Sequence, residues 1–105
     1  MKKKSNTLHL VVTNKWYQQI VAGTKTEEYR QVKKHWISRL TWHGGKYKAF
    51  KYIKFVNGHQ KNAPFAIAEF KYILLKEITH EHFGPSPVAV FAIGIGEVLG
   101  HQVAV

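Results

Sequence analysis

Apolar residues recur along this chain with periods that change from block to block, and each period predicts an element. Leu8, Leu10 and Val12 alternate with His9, Val11 and Thr13, which predicts a strand over residues 8–13. Trp16 and Ile20, and Tyr17 and Val21, form i,i+4 pairs that give one broad apolar face, so residues 14–22 are expected to be helical. Asn14 is placed to cap that helix, and Gly23 stands where a left-handed residue would end it. Residues 24–30 then read as extended. Val32, Trp36 and Leu40 return to i,i+4 spacing in a second short helix, ended by Trp42-His43-Gly44-Gly45.

The remainder reads as strands. Residues 47–56 are strand-like, although Lys48 and Lys51 break the alternation at their start, and Asn57-Gly58 signals a tight turn. Residues 65–75 predict a long strand with Ala66, Ala68, Phe70, Tyr72 and Leu74 on one face. Residues 77–83 suggest a turn or short helix before Gly84-Pro85-Ser86-Pro87. The last strand alternates Ala89, Phe91, Ile93 and Ile95 with Val90, Ala92, Gly94 and Gly96. Gly94 and Gly96 lie inside that alternation with no helix start after them, so close packing or a bend explains them better than a phosphate loop. Four or five strands with two early helices predict an α+β fold, a small β-barrel flanked by short helices. Neither a repeat nor a linker divides the chain. We expect one domain over residues 8–99, a basic tail over 1–7 and a short tail over 100–105.

Composition narrows the chemistry. The 105 residues include no cysteine, and all six acids are glutamate. Disulfide scaffolds, thiolate metal sites and cysteine nucleophiles are thereby excluded, and the commonest aspartate-based metal patterns are absent. We expect no metal and no cofactor. His80 and His82 form the one close histidine pair, read here as solvent-exposed loop residues. The net charge of +10 is unevenly placed. Residues 1–61 hold 14 Lys and Arg against 2 acids, whereas residues 62–105 hold 2 against 4. Without Lys2, Lys3 and Lys4 the first part keeps a net +9, so the excess belongs to the folded domain. Such a field captures polyanions, which points to nucleic acid. The apolar run near the start is too short for a secretory signal, and no stretch reaches membrane-spanning length, so a cytoplasmic protein without a membrane partner is expected.

The string Gly23-Thr24-Lys25-Thr26-Glu27-Glu28-Tyr29-Arg30 is the leading candidate for chemistry. In an extended segment Thr26, Glu28 and Arg30 share a face. A lysine and an arginine there would neutralise an anion, while the glutamate orients them or accepts a base N–H. The same spacing also suits ordinary surface pairing, worth only ~0–1 kcal/mol.

The string resembles the Gly-x-Lys-x-x-Glu-x-Arg pattern of the ASCH domain family, a branch of the PUA-like fold. Further similarity lies in Leu8-His9-Leu10, the Trp16 helix, the Tyr29-Arg30, Trp36-Ile37 and Arg39-Leu40 pairs, Phe55-Val56-Asn57-Gly58, Lys61-Asn62-Ala63-Pro64, and Phe91-Ala92-Ile93 with Gly94. Together these span roughly residues 8–98. The resemblance implies a PUA-like barrel with a cleft beside the motif that binds RNA or a nucleotide-like ligand. Lys25, Glu28 and Arg30 would line its floor. Lys33, Lys34, Arg39, Lys54 and Lys61 would guide phosphates, with Asn57 near the rim.

An enzymatic form would be metal-independent cleavage of single-stranded RNA, with Lys25, Glu28, Tyr29 and Arg30 sharing proton transfer and charge stabilisation. Amidohydrolase relatives imply a lysine followed three residues later by threonine, but Glu28 stands there, and a carboxylate does not replace a hydroxyl nucleophile. A different class of reading is an effector whose basic face docks an acidic protein.

Overall fold

A computed structural model describes residues 6–43 and 45–102; the lysine-rich start at residues 2–4 and Gly44 lie outside the described residues. The elements in order are β1 (Thr7–Val12), α1 (Asn14–Ala22), β2 (Glu27–Gln31), α2 (Lys34–Leu40), β3 (Tyr52–Asn57), β4 (Phe65–His80), a 3-10 turn (Glu81–Phe83) and β5 (Gly84–Gln102). The strands form one mixed sheet in the order β1-β3-β4-β5-β2, with β1 parallel to β3 and every other pair antiparallel. The fold is α+β. Residues 100–102, assigned above to a tail, continue β5, and Thr7 already belongs to β1.

The expected barrel does not close. β1 and β2 are the sheet's two outer strands and share no ladder. Side chains replace the missing backbone pairs. Arg30 on β2 donates from Nη2 to the Val11 carbonyl at 2.9 Å, and Arg39 on α2 donates to the His9 carbonyl at 2.8 Å. Both carbonyls belong to β1, so two guanidinium groups occupy acceptors that an edge strand would otherwise offer to another chain. The curled sheet brings its edges within reach of one arginine without joining them.

The core forms where the alternation predicted it, on one sheet face beneath the helices. Leu8, Leu10 and Val12 of β1, Ile53 and Phe55 of β3, and Phe91, Ile93 and Ile95 of β5 are buried with Tyr17 and Ile20 of α1 and Leu40 of α2. Thr13 precedes α1 in extended conformation without a side-chain cap bond. Asn14, expected as the cap, is the first helical residue, and its side-chain oxygen accepts from Asn57 and Gln18. Gly23 does end α1, at φ 80°, and its N–H reaches the carbonyls of Gln19 and Ile20.

The second half departs further from the sequence reading. β4 runs through the segment expected to turn at 77–83 and reaches His80 before the 3-10 turn. Its register against β5 shifts between Phe70 and Tyr72, where β4 carries one additional residue. A bulge of this kind reverses the side-chain parity. Ala66 and Ala68 therefore face the core as expected, but further along Ile73 is buried while Tyr72 and Leu74 are exposed. Tyr72 instead crosses the outer face over Gly94, where a Cβ would collide with its ring carbons. Close packing is thus what glycine provides at position 94. In the Phe65–His80 and Gly84–Gln102 hairpin the strands are 16 and 19 residues long, enough for the hairpin tip to come back to α1. There Lys15 pairs with Glu81 at 2.7 Å.

Candidate functional site

The Gly23 turn sets the site's position. With Gly23 left-handed, the N–H groups of Thr24 and Lys25 both reach the Gln19 carbonyl, so the chain reverses tightly from α1 into β2. Lys25 comes back over the helix it has just left. Its ammonium lies 5.0 Å from the Trp16 ring centre and 5.3 Å from that of Tyr29. Two residues after the turn β2 begins, pairing Glu28 with Ile93 and Arg30 with Phe91 of β5. That register turns Glu28 and Arg30 toward the core side of an edge strand, half in the protein and half over its rim.

There the structure encloses a cleft of about 270 Å³. Val11, Val12 and Thr13 at the end of β1 form one side, and Trp16 of α1 and Trp36 of α2 form walls. Lys25, Glu28, Tyr29 and Arg30 line it from the motif, and Gln31 and Lys33 extend the lining. His80, His82 and Phe83 complete it from the hairpin tip.

At the centre is a three-residue ionic cluster. Glu28 is 6% exposed, the one buried charged residue among the described residues. Arg30 Nη2 donates to its Oε2 at 2.6 Å, and Lys25 Nζ stands 3.4 Å from Oε1. These charges are desolvated: the side chains of Lys25 and Arg30 are 9% and 18% exposed. One carboxylate faces two cations, so the cluster keeps a net positive charge in a low-dielectric setting, where an incoming anion is strongly attracted. Arg30 Nε is buried without a hydrogen-bond partner. An orphaned donor of this kind costs about 1–3 kcal/mol unless something accepts from it.

The aromatic residues principally hold the cations. Arg30 and Arg39 both lie against Trp36, at 4.8 and 4.9 Å from its ring centre. Lys15 and Lys25 approach Trp16 at 4.6 and 5.0 Å. Cation–π contacts contribute ~0.5–2 kcal/mol, more when desolvated. They also keep flexible side chains in place without neutralising them.

The two sides of β2 divide the motif. Tyr29 presents its ring to the cleft, but its hydroxyl donates to Glu27 Oε1 at 2.8 Å. Burial and that carboxylate push the Tyr29 hydroxyl up to about 12. Expected above as a proton-transfer group, the hydroxyl is instead engaged as a donor. Glu27 also accepts from Tyr72 and from Lys76, the latter at 2.8 Å. Burial alone would raise the Glu27 carboxyl, but the donors Lys76, Tyr72 and Tyr29 together hold it below its ordinary value.

Of the residues expected to guide phosphates, Lys33 lines the cleft. The others lie outside its lining. Lys34 opens α2 and is exposed, and Lys61 sits in an exposed turn. Arg39 is held by Trp36 and the His9 carbonyl. Lys54 lies over Phe65 at 4.4 Å, and the Asn57 amide is bonded to Asn14. Conversely, sequence reasoning missed His80. It is half-buried, not a free loop residue, with ring centres 5.4 Å from Trp16 and 5.6 Å from Tyr29. Its Nδ1 accepts the His82 backbone N–H at 3.1 Å, which leaves Nε2 as the ring's other polar atom. No local pattern announces this, because the hairpin's reach brings His80 to the site.

Among the described residues, no three His, Cys, Asp or Glu side chains gather as a metal site, and no helix is long and apolar enough to cross a membrane. No family model matches the chain, and no curated protein or solved structure matches it.

Proposed function

We propose that this protein is an ASCH-type domain that binds single-stranded RNA, or a nucleotide-like ligand, through the cleft beside β2. One observation carries the reading: Lys25, Glu28 and Arg30 converge there as a desolvated cluster with net positive charge. The three residues singled out by the motif resemblance thus meet in a single ligand-sized cavity. The cations engage phosphate oxygens, and the cleft's volume of about 270 Å³ lies near the low end of the ~300–1,000 Å³ of small-ligand pockets. The test is a salt titration with labelled single-stranded RNA. Affinity should fall steeply with salt and weaken in Lys25→Ala. Absent or salt-insensitive binding would sink the proposal.

His80 favours a second, catalytic reading. Its imidazole stands in the cleft lining with Nδ1 already occupied. Metal-independent RNA cleavage would use it to move a proton, with Lys25 and Arg30 stabilising the charge on phosphorus-bound oxygens. RNA left intact by clean protein in chelator, over a range of sequences, excludes this version and leaves the binding reading standing.

A further inference from the structure

The cleft's charge favours one kind of phosphate over another. Its lining holds Lys25, Arg30 and Lys33 against Glu28, so three cations face one carboxylate. The balance of +2 with neutral histidines matches a phosphomonoester, which is largely dianionic near neutral pH, better than the single charge of an internal phosphodiester. Donor capacity agrees. The Lys25 side chain is nine-tenths buried, and its ammonium has a carboxylate neighbour 3.4 Å away. Arg30 spends Nη2 on Glu28 and Val11, while Nε is buried with no partner. The Lys25 ammonium therefore keeps donors to spare for an anion, whereas Arg30 Nε has no surface that a ligand oxygen could reach and Arg30 contributes its charge.

We infer that the cleft selects a phosphomonoester, carried by an RNA end or by a free nucleotide, with Lys25 as its donor and the charges of Arg30 and Lys33 beside it. This rests on the RNA or nucleotide reading above. The experiment measures binding of the wild-type protein to one short RNA sequence bearing a 5′-phosphate, a 3′-phosphate or only hydroxyl ends. A nucleoside 5′-monophosphate and its parent nucleoside are measured beside them. At least one phosphorylated end should bind more tightly than the hydroxyl-ended chain by roughly tenfold or more, the worth of an added charge-assisted contact. Tighter binding of the monophosphate alone, with all RNA ends equal, assigns the free nucleotide as the source. Equal affinity within both series overturns the inference but leaves RNA binding intact. No binding of any probe overturns both.

Discussion

Glu27 and Glu28 are adjacent in sequence, yet β2 turns them to opposite faces and gives them different tasks. Glu27 receives two tyrosine hydroxyls and a lysine, and its partners Tyr72 and Lys76 come from β4, across the intervening β5. This is a closed network, with donors supplied by the scaffold and Gly94 giving Tyr72 room to cross. Glu28 has two cations that it cannot fully satisfy, in a cavity with an orphaned donor beside it. The difference teaches that burial of charge is not by itself a functional sign. A saturated carboxylate ties strands together; an under-neutralised cationic cluster is prepared for something that arrives.

The comparison is tested most severely at Glu28. Glu28→Gln removes the counter-charge of two desolvated cations and should destabilise the fold by about 3 kcal/mol, read by denaturant unfolding. An effect no larger than that of an exposed glutamate would mean that the cluster is hydrated and not poised. Next in size is Gly94→Ala. The new methyl group must displace the Tyr72 ring, with an expected cost of about 2 kcal/mol. In a Tyr72→Ala background most of that cost should vanish, and full additivity would show that Tyr72 is not what the glycine accommodates.

Glu27→Gln should cost about 1 kcal/mol near neutral pH and leave RNA affinity unchanged, in contrast with Lys25→Ala. The wild-type advantage also has a pH signature. Because the folded state lowers the Glu27 carboxyl, its stabilisation is present above the ordinary value of 4.5 and is lost as pH falls through the lower folded value. Wild type and Glu27→Gln should therefore converge in acid unfolding, and a constant gap down to low pH would contradict the network. Smallest is Lys15→Ala. Its exposed ion pair should leave the melting temperature unmoved while amide exchange in residues 80–83 quickens. Unchanged exchange would show that the hairpin tip needs no such tie.

Much of the architecture was legible because its signals are local. The i,i+4 pairs around Trp16 and Trp36 place two helices, and Gly23 ends the first because a tight reversal needs φ near 80°. Lys25, Glu28 and Arg30 were visible as one motif, since strand parity and one preceding turn suffice to bring them together. Legibility stopped where a single residue alters everything after it. The additional residue on β4 near Lys71 reverses the facing of Tyr72, Ile73 and Leu74, and alternation alone cannot reveal a slip that both parities would tolerate. The seating of Lys54 over Phe65 and of the Asn57 amide on Asn14 likewise depends on neighbours that only the fold brings together.

By itself, then, the chain's order of residues determined an α+β domain, a basic first half and a cationic motif at the start of a strand. Those properties follow from short-range periodicity, turn chemistry and charge count. Only the tertiary structure decided that the sheet stays open, with Arg30 and Arg39 standing in for the missing ladder. Only it brought His80 from the far hairpin to Trp16 and separated the duties of Glu27 and Glu28. The physical reason is common to all three: each depends on how far a long, curled hairpin and a sheet edge travel in space, and that distance is the sum of many small twists and several register shifts.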